Sequence, residues 1–272
     1  MNIRDPRRRH IGFFDVHVPV NIDMRVPLLF TLDYRPDIVV IGGDFLNGQW
    51  VSHWNEASFK RIGWDKLRRL VKDEFAAARD LLADIRRVAP RAQIIYIQGN
   101  HERWLADASF KYPELQISVE ANLDRVRVKS DLELLKNREL KGIIERELQT
   151  AKMKIDVLEY REALKIGRLL YLHGDQFSGS KPTETSAARF PGMSVTFGHH
   201  HKHEVTPIFN QGDETKCYEH VAVPGMTTHA HGYLKTNSTT WMQGFWLADF
   251  DSRGFFDGRV KKVIKGNVIP TI

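Results

Sequence analysis

The sequence predicts an α/β fold built on a parallel sheet. Two short β-branched runs, residues 37–42 (DIVVIG) and 93–97 (QIIYI), read as strands buried on both faces. Between them, residues 64–88 carry Leu67, Leu70, Val71, Phe75, Ala78, Leu81, Leu82 and Ile85 at helical spacing, with Pro90 closing the segment. Strand, helix, strand in that order places the two strands side by side and parallel, with polar residues at their ends. The chain of 272 residues, 42% of them hydrophobic, is large enough for one domain spanning 1–272 with its own core, which excludes a disordered chain.

The remaining elements follow in chain order. Residues 10–15 (HIGFFD) form a short apolar run with a polar tip, and 20–34 have helix-like apolar spacing that Pro27 is expected to break. From about 103 to 150, Leu132, Leu134, Leu135, Leu140, Ile143, Ile144 and Leu148 stand among many charges, which predicts a helical insertion. Such an insert is a solvated structural element, a cap over the substrate or an oligomer contact. Strands are expected at 157–160 and 169–172 around a turn at Gly167, and at 193–197. From Glu204 onward the chain reads as mostly β: EVTPIF, YEHVAVPG, WMQGFWLADF and GRVKKVI.

Composition narrows the function. No apolar run approaches the roughly 18 residues of a membrane span. The N-terminal MNIRDPRRRHIGFF has charge but no apolar stretch of a secretory signal. The one cysteine, Cys217, excludes internal disulfides and thiolate-rich zinc sites, and with the missing signal it favours a cytoplasmic compartment. Forty Lys and Arg against 34 Asp and Glu leave a net charge of +6, a weak preference for anionic partners. Arg7, Arg8 and Arg9 form a short basic run that reads as solvated. Twelve histidines, eight of them from His173 onward, are the stronger signal, because imidazole is the commonest metal ligand and the usual acid or base near neutrality.

Five segments share one layout, an apolar strand ending in metal-capable residues. They are Asp15-Val16-His17, Gly43-Asp44, Gly99-Asn100-His101-Glu102, His173-Gly174-Asp175 and Gly198-His199-His200-His201. Ligands at the C-terminal ends of strands converge on the crevice where open α/β sheets bind. On extended chain, residues i and i+2 face one way, so Asp15 with His17, and His199 with His201, would each present two ligands to one side. His200 would then point away and ligate nothing. Each piece alone is weak, since Gly-Asp after a strand is usually a turn. Five in order are hard to explain as turns and caps.

The motifs DVH, GGD, GNHE, HGD and GHHH together resemble those of the calcineurin-like metallophosphoesterase superfamily, and they run from Asp15 to His201. The resemblance implies two mixed β-sheets packed as a sandwich flanked by helices. It implies two divalent ions, one held by Asp15, His17 and His201 and the other by Asn100, His173 and His199, with Asp44 bridging them. His101 would stand near the leaving group, oriented by Glu102, and a metal-bridging hydroxide would attack phosphorus. Ligands of carboxylate, imidazole and amide without thiolate suit Mn²⁺, the favoured ion, or Fe, Ni²⁺ or Zn²⁺.

Asp44 is followed by Phe45-Leu46-Asn47-Gly48-Gln49, not by the Asp-Arg-Gly continuation of the protein Ser/Thr phosphatase branch. This departure and the basic charge favour a phosphodiesterase acting on nucleotides or nucleic acid. The alternatives are a broad phosphomonoesterase and a catalytically inactive binding scaffold. Arg103 is a candidate phosphate contact, as are His229 and His231 in a loop-like stretch, while His203 has no clear role. Trp50, His53 and Trp54 follow Asp44 and would stack a base, pack into the core or form a lid.

Overall fold

Along each central strand, successive side chains enter different cores. In a computed structural model describing residues 1–3, 9–52, 61–115, 129–213, 217–228 and 240–269, Val39 and Ile41 pack with the helices on one face of a sheet, while Ile38 and Val40 pack between two sheets. Leu169 and Tyr171 do the same from the second sheet, with Leu170 and Leu172 turned to its outer face. This period of two on strands buried on both faces makes the sequence read as continuous apolar runs. Each such Ile, Val or Leu contributes roughly 1.5–3 kcal/mol on burial.

The strands are β1 (Asn2–Ile3), β2 (Arg9–Phe13), β3 (Ile38–Gly42), β4 (Gln93–Ile97), β5 (Ile155–Val157), β6 (Leu164–Ile166), β7 (Leu169–Leu172), β8 (Ser194–Phe197), β9 (Glu204–Ile208), β10 (Tyr218–Ala222), β11 (Gly244–Phe250), β12 (Phe256–Ile264) and β13 (Asn267–Val268). The helices are α1 (Arg25–Tyr34), α2 (Trp64–Val88), α3 (Asn100–Lys111), α4 (Lys129–Glu147) and α5 (Pro182–Arg189). One sheet has seven strands in the order β13-β12-β11-β2-β3-β4-β5, and the other has six in the order β1-β6-β7-β8-β10-β9. Both are mixed: β2 to β5 run parallel with β11 antiparallel beside β2, and β7, β8 and β10 run parallel with β9 antiparallel at the edge. The expected sandwich of two mixed sheets flanked by helices is therefore observed.

Some expectations are corrected. Pro27 does not break the first helix, because it lies in the first turn of α1, where its missing N–H would have had no intrahelical partner. The strand expected at 157–160 ends at Val157; its pairing with Tyr96 closes with Leu158 N–H on Tyr96 O, and the chain then crosses to the other sheet. The partner of β7 across Gly167 is instead β6. The C-terminal strands divide between the two sheets, β9 and β10 in one and β11 to β13 in the other.

The boundary placed at 103 for an insertion falls inside α3. The segment is also no surface appendage: Leu140, Ile143, Ile144 and Leu148 are fully buried in the same core as Ile94 and Tyr96. Leu134 is exposed, and the side chain of Leu132 lies outside the described residues.

Candidate metal centre

The C-terminal ends of β2, β3, β4, β7 and β8 carry the five motifs, and the turns that follow bring them together. Asp15 N–H donates to Gly43 O, His17 N–H to Asp44 O and Gly198 N–H to His173 O, at 2.8–3.1 Å, so the sheet pairing continues into the loops that hold the side chains. Asp15, His17, Asp44, His199 and His201 all have left-handed backbone, with φ between 47° and 68°. Non-glycine residues adopt this region at a cost, and it recurs where the surroundings fix a functional geometry.

That curvature corrects the alternation argument. His199 and His201 do not lie on extended chain and do not face one side. His201 joins Asp15 and His17, whereas His199 joins Asp44 and His173. In each group the ligand atoms lie within 4.8 Å of one another. A third set, His17, Asp44 and His101, overlaps both.

In the first group, His17 Nε2 is 3.2 Å from His201 Nε2, and His201 Nε2 is 3.6 Å from Asp15 Oδ1. In the second, Asp44 Oδ2 is 3.3 Å from His173 Nε2, which also meets Asn100 Oδ1 at 3.0 Å. His173 Nδ1–H donates to Gly42 O at 3.2 Å, which fixes the tautomer and turns Nε2 inward toward two oxygen acceptors. Only a proton or a cation reconciles that arrangement. Burial favours the neutral His173 ring, but the Asp44 carboxylate outweighs it and raises the ring pKa to about 10. A metal ion would take that proton's place.

Burial also opposes charge on both carboxylates. For Asp44 it is outweighed by His101 and His173, which hold the carboxyl well below its usual range. For Asp15 burial prevails, with help from Asp44, and pushes the carboxyl well above it. His199 is lowered to about 4 by burial and the His173 charge, which leaves its imidazole neutral and able to ligate. Asp15 and Asp44 find imidazole and backbone N–H partners, with no Lys or Arg ion pair among the described residues. A buried set of carboxylates, imidazoles and an amide with no Lys or Arg among them fits divalent metal ions.

Two glycines let the chain come this close. A Cβ on Gly99 would strike Asp44 Oδ1 and the Asp44 backbone nitrogen, and one on Gly198 would strike Asp15 Oδ2.

His101 is on the rim of the cluster, in the first turn of α3. Its backbone N–H donates to Asp44 Oδ1 at 2.9 Å, and its Nε2 lies 3.7 Å from Asp44 Oδ2. Its ring packs at a tilt against Trp104 with centroids 3.9 Å apart. Glu102 does not orient it. The Glu102 carboxylate accepts hydrogen bonds from the backbone N–H groups of Asp44, Leu46 and Gly99 and from the Tyr96 hydroxyl, at 2.8–3.1 Å. Glu102 therefore caps α3 as its third residue and clamps the Asp44 loop. His101 Nδ1–H donates instead to the backbone oxygen of Asn47.

Arg103 is likewise committed elsewhere. Its guanidinium is buried and meets Asp107, Asn137 and Glu133, tying α3 to α4, and it lies over the Tyr160 ring. Nε, Nη1 and Nη2 each donate to one of these neighbours, so Arg103 serves as a brace between the two helices.

His200 packs near Phe197 and His199 and joins neither group. Trp50 packs against the main core. His53, Trp54, His229 and His231 lie outside the described residues, as do Arg7 and Arg8.

Residues not foreseen complete the surroundings. Asn47 orients His101, and the Trp241 ring packs at a tilt against His201 with centroids 4.0 Å apart. Asp175, from the His-Gly-Asp motif, accepts from the Tyr160 hydroxyl at 2.6 Å and from Arg161. The Gly-x-x-Glu spacing of a helix cap was the signal that could have revealed the role of Glu102.

No protein-family profile and no curated protein matches the chain. Among solved structures, it is similar to one described as "Crystal structure of a putative diadenosine tetraphosphatase", with 11% sequence identity, a TM-score of 0.41 and 96% of each chain covered.

Proposed function

We propose that the chain is a phosphoesterase using two divalent metal ions, and that its substrates are phosphodiesters of nucleotides or nucleic acid. The observation that carries this reading is the position of Asp44, whose carboxylate joins His173 and His199 in one ligand group and His17, a member of the other, in the overlapping set. Asp15, His17 and His201 would hold one ion, and Asn100, His173 and His199 the other, with Asp44 shared. Mn²⁺ is the favoured ion, and a donor set of oxygen and imidazole nitrogen suits Fe, Ni²⁺ or Zn²⁺ as well. Two such ions supply Lewis acidity at a phosphoryl oxygen and lower the pKa of water.

The chain's own residues would do the rest. Glu102 holds the Asp44 loop against the start of α3. Asn47 keeps the His101 proton on Nδ1, so that Nε2 faces the cluster and can hand a second proton to the departing oxygen. The net charge of +6 supports an anionic substrate. The test is hydrolysis of bis-p-nitrophenyl phosphate against p-nitrophenyl phosphate by Mn²⁺-reconstituted protein. Faster diester hydrolysis is expected. A preference for the monoester would replace the diester assignment with a phosphatase, and no metal-dependent hydrolysis of either would overturn the reading.

A further inference from the structure

At the opposite edge of the parallel strands, a cleft of about 460 Å³ is lined by Arg9, Arg35 and Arg91. Three connections that are distant in sequence build it: the start of β2, the turn between α1 and β3, and the turn between α2 and β4. Arg35 ends α1 in left-handed backbone, with φ 51°, at a position where glycine is preferred. The apolar wall includes Leu32, Pro36, Val88 and Pro90.

The charges there are not neutralised. One carboxylate, Asp37, lines the cleft, and it accepts from the backbone N–H of Arg9 at 3.1 Å, not from a guanidinium. Arg9 lies over the Tyr34 ring, and no carboxylate within ion-pair distance of Arg9, Arg35 or Arg91 is found among the described residues. Other surface arginines of this chain do take such partners: Arg25 with Asp23, Arg87 with Asp84 and Arg259 with Asp257. Three guanidiniums beside apolar walls suit a chain of phosphates with bases lying on the walls.

We infer that this cleft binds the phosphate backbone of a nucleic-acid strand. It is separate from the metal centre, because β2, β3 and β4 are five residues long, and about 3.3 Å per residue sets the two ends at least about 16 Å apart. A strand held here is held by phosphates other than any at the metal ligands. The inference stands on the cleft itself and does not depend on the phosphoesterase reading.

The test is binding of a fluorescein-labelled phosphorothioate oligothymidylate 20-mer, which resists hydrolysis, to the metal-loaded full chain, followed by fluorescence anisotropy. Arg35→Glu with Arg91→Glu should weaken binding at least about tenfold at 50 mM salt. It should also flatten the dependence of log K on log salt by about 1.4, the loss of two single-strand phosphate contacts. Arg138→Glu with Lys265→Glu changes net charge equally at exposed positions elsewhere and should have little effect. Thermal melting establishes that both double variants are folded. Equal losses in the two variants, unchanged binding, or no binding by the parent would overturn the inference. Pyrophosphate tests the alternative source of the same chemistry. If it binds in a manner lost with Arg35→Glu and Arg91→Glu while the 20-mer does not bind, the cleft is an anion site and the strand assignment is wrong.

Discussion

The Glu74 side chain, buried on α2, accepts a hydrogen bond from the backbone N–H of Gly48 at 2.7 Å. Gly48 follows Asn47, whose carbonyl orients His101, and a Cβ on Gly48 would stand 2.7 Å from the His101 backbone oxygen. Glu74 is therefore coupled to the imidazole through one turn of backbone. Glu74→Ala should release that turn and lower turnover about tenfold or more, since small misplacements are costly in catalysis. Glu74→Gln keeps an oxygen acceptor and should restore most of the rate. Metal content should be equal in all three proteins. A loss of metal in Glu74→Ala would show instead that the residue supports the ligands.

The same carboxyl sets a pH dependence of stability. Burial, reinforced by the Glu102 charge, pushes Glu74 up to about 8, against an ordinary value of 4.5. The folded state thus holds a proton that the unfolded state releases between those values. The Glu74 contribution is fully present below about pH 4.5 and is lost as pH rises through about 8. Urea midpoints from pH 5 to 8 should fall more steeply for the parent protein than for Glu74→Gln, which has no such proton to lose. Parallel profiles would mean that Glu74 is ordinary in the fold.

Much of this was legible in the sequence because strand ends announce themselves. Residues 38–42 and 93–97 are continuous apolar runs, and the residues after them can only lie at the sheet edge. The helix 64–88 is legible for the same reason, a strong period with Pro90 beyond it. What the sequence does not display is which donor reaches which acceptor. Glu102 adjoins His101 in the chain, yet the helical turn that starts at Asn100 sends the two side chains to different neighbours. The partners of Arg103, namely Asp107, Asn137 and Glu133, are brought to it by helix packing, which the sequence around Arg103 does not display. Glu74 falls on the apolar stripe of α2, three residues after Val71 and four before Ala78, but only the fold shows that its carboxyl meets Gly48. The left-handed bends at His199 and His201 could not be seen in a period of two.

Arg103 should behave as a brace. Its guanidinium is 9% exposed, while Asp107 and Glu133 are 45% and 51% exposed, so solvent screens much of the pairing. Arg103→Met should lower stability by roughly 1–2 kcal/mol and leave KM for a diester unchanged. A rise in KM without loss of stability would return Arg103 to the substrate.

Gly99 is the position where the smallest change should do the most local damage. An added Cβ collides with both the carboxylate and the backbone nitrogen of Asp44, and neither is the free end of a flexible chain. Gly99→Ala should displace the shared carboxylate and reduce bound metal below two ions per chain, measured by elemental analysis after Mn²⁺ reconstitution. Gly142→Ala, on α4, has nothing within 4 Å of its new Cβ and serves as the control. Full occupancy in Gly99→Ala would show that Asp44 is not the shared ligand.

His101 is the most direct test of how the proposed reaction ends. Its Nδ1–H is committed to Asn47, so Nε2, 3.7 Å from Asp44 Oδ2, is the atom that can give a proton toward the cluster. General-acid catalysis is worth typically about 10²–10⁴-fold, and it matters most when the departing oxygen is strongly basic. His101→Ala should therefore slow hydrolysis of a nucleoside diester by about that factor. A p-nitrophenyl diester, whose leaving oxygen needs little protonation, should be slowed far less. Because Asn100 is adjacent and the His101 backbone N–H touches Asp44, metal content must be measured on the same preparation. Equal losses on both substrates with full metal occupancy would assign His101 to binding the phosphate or stabilising charge in the transition state rather than to proton transfer.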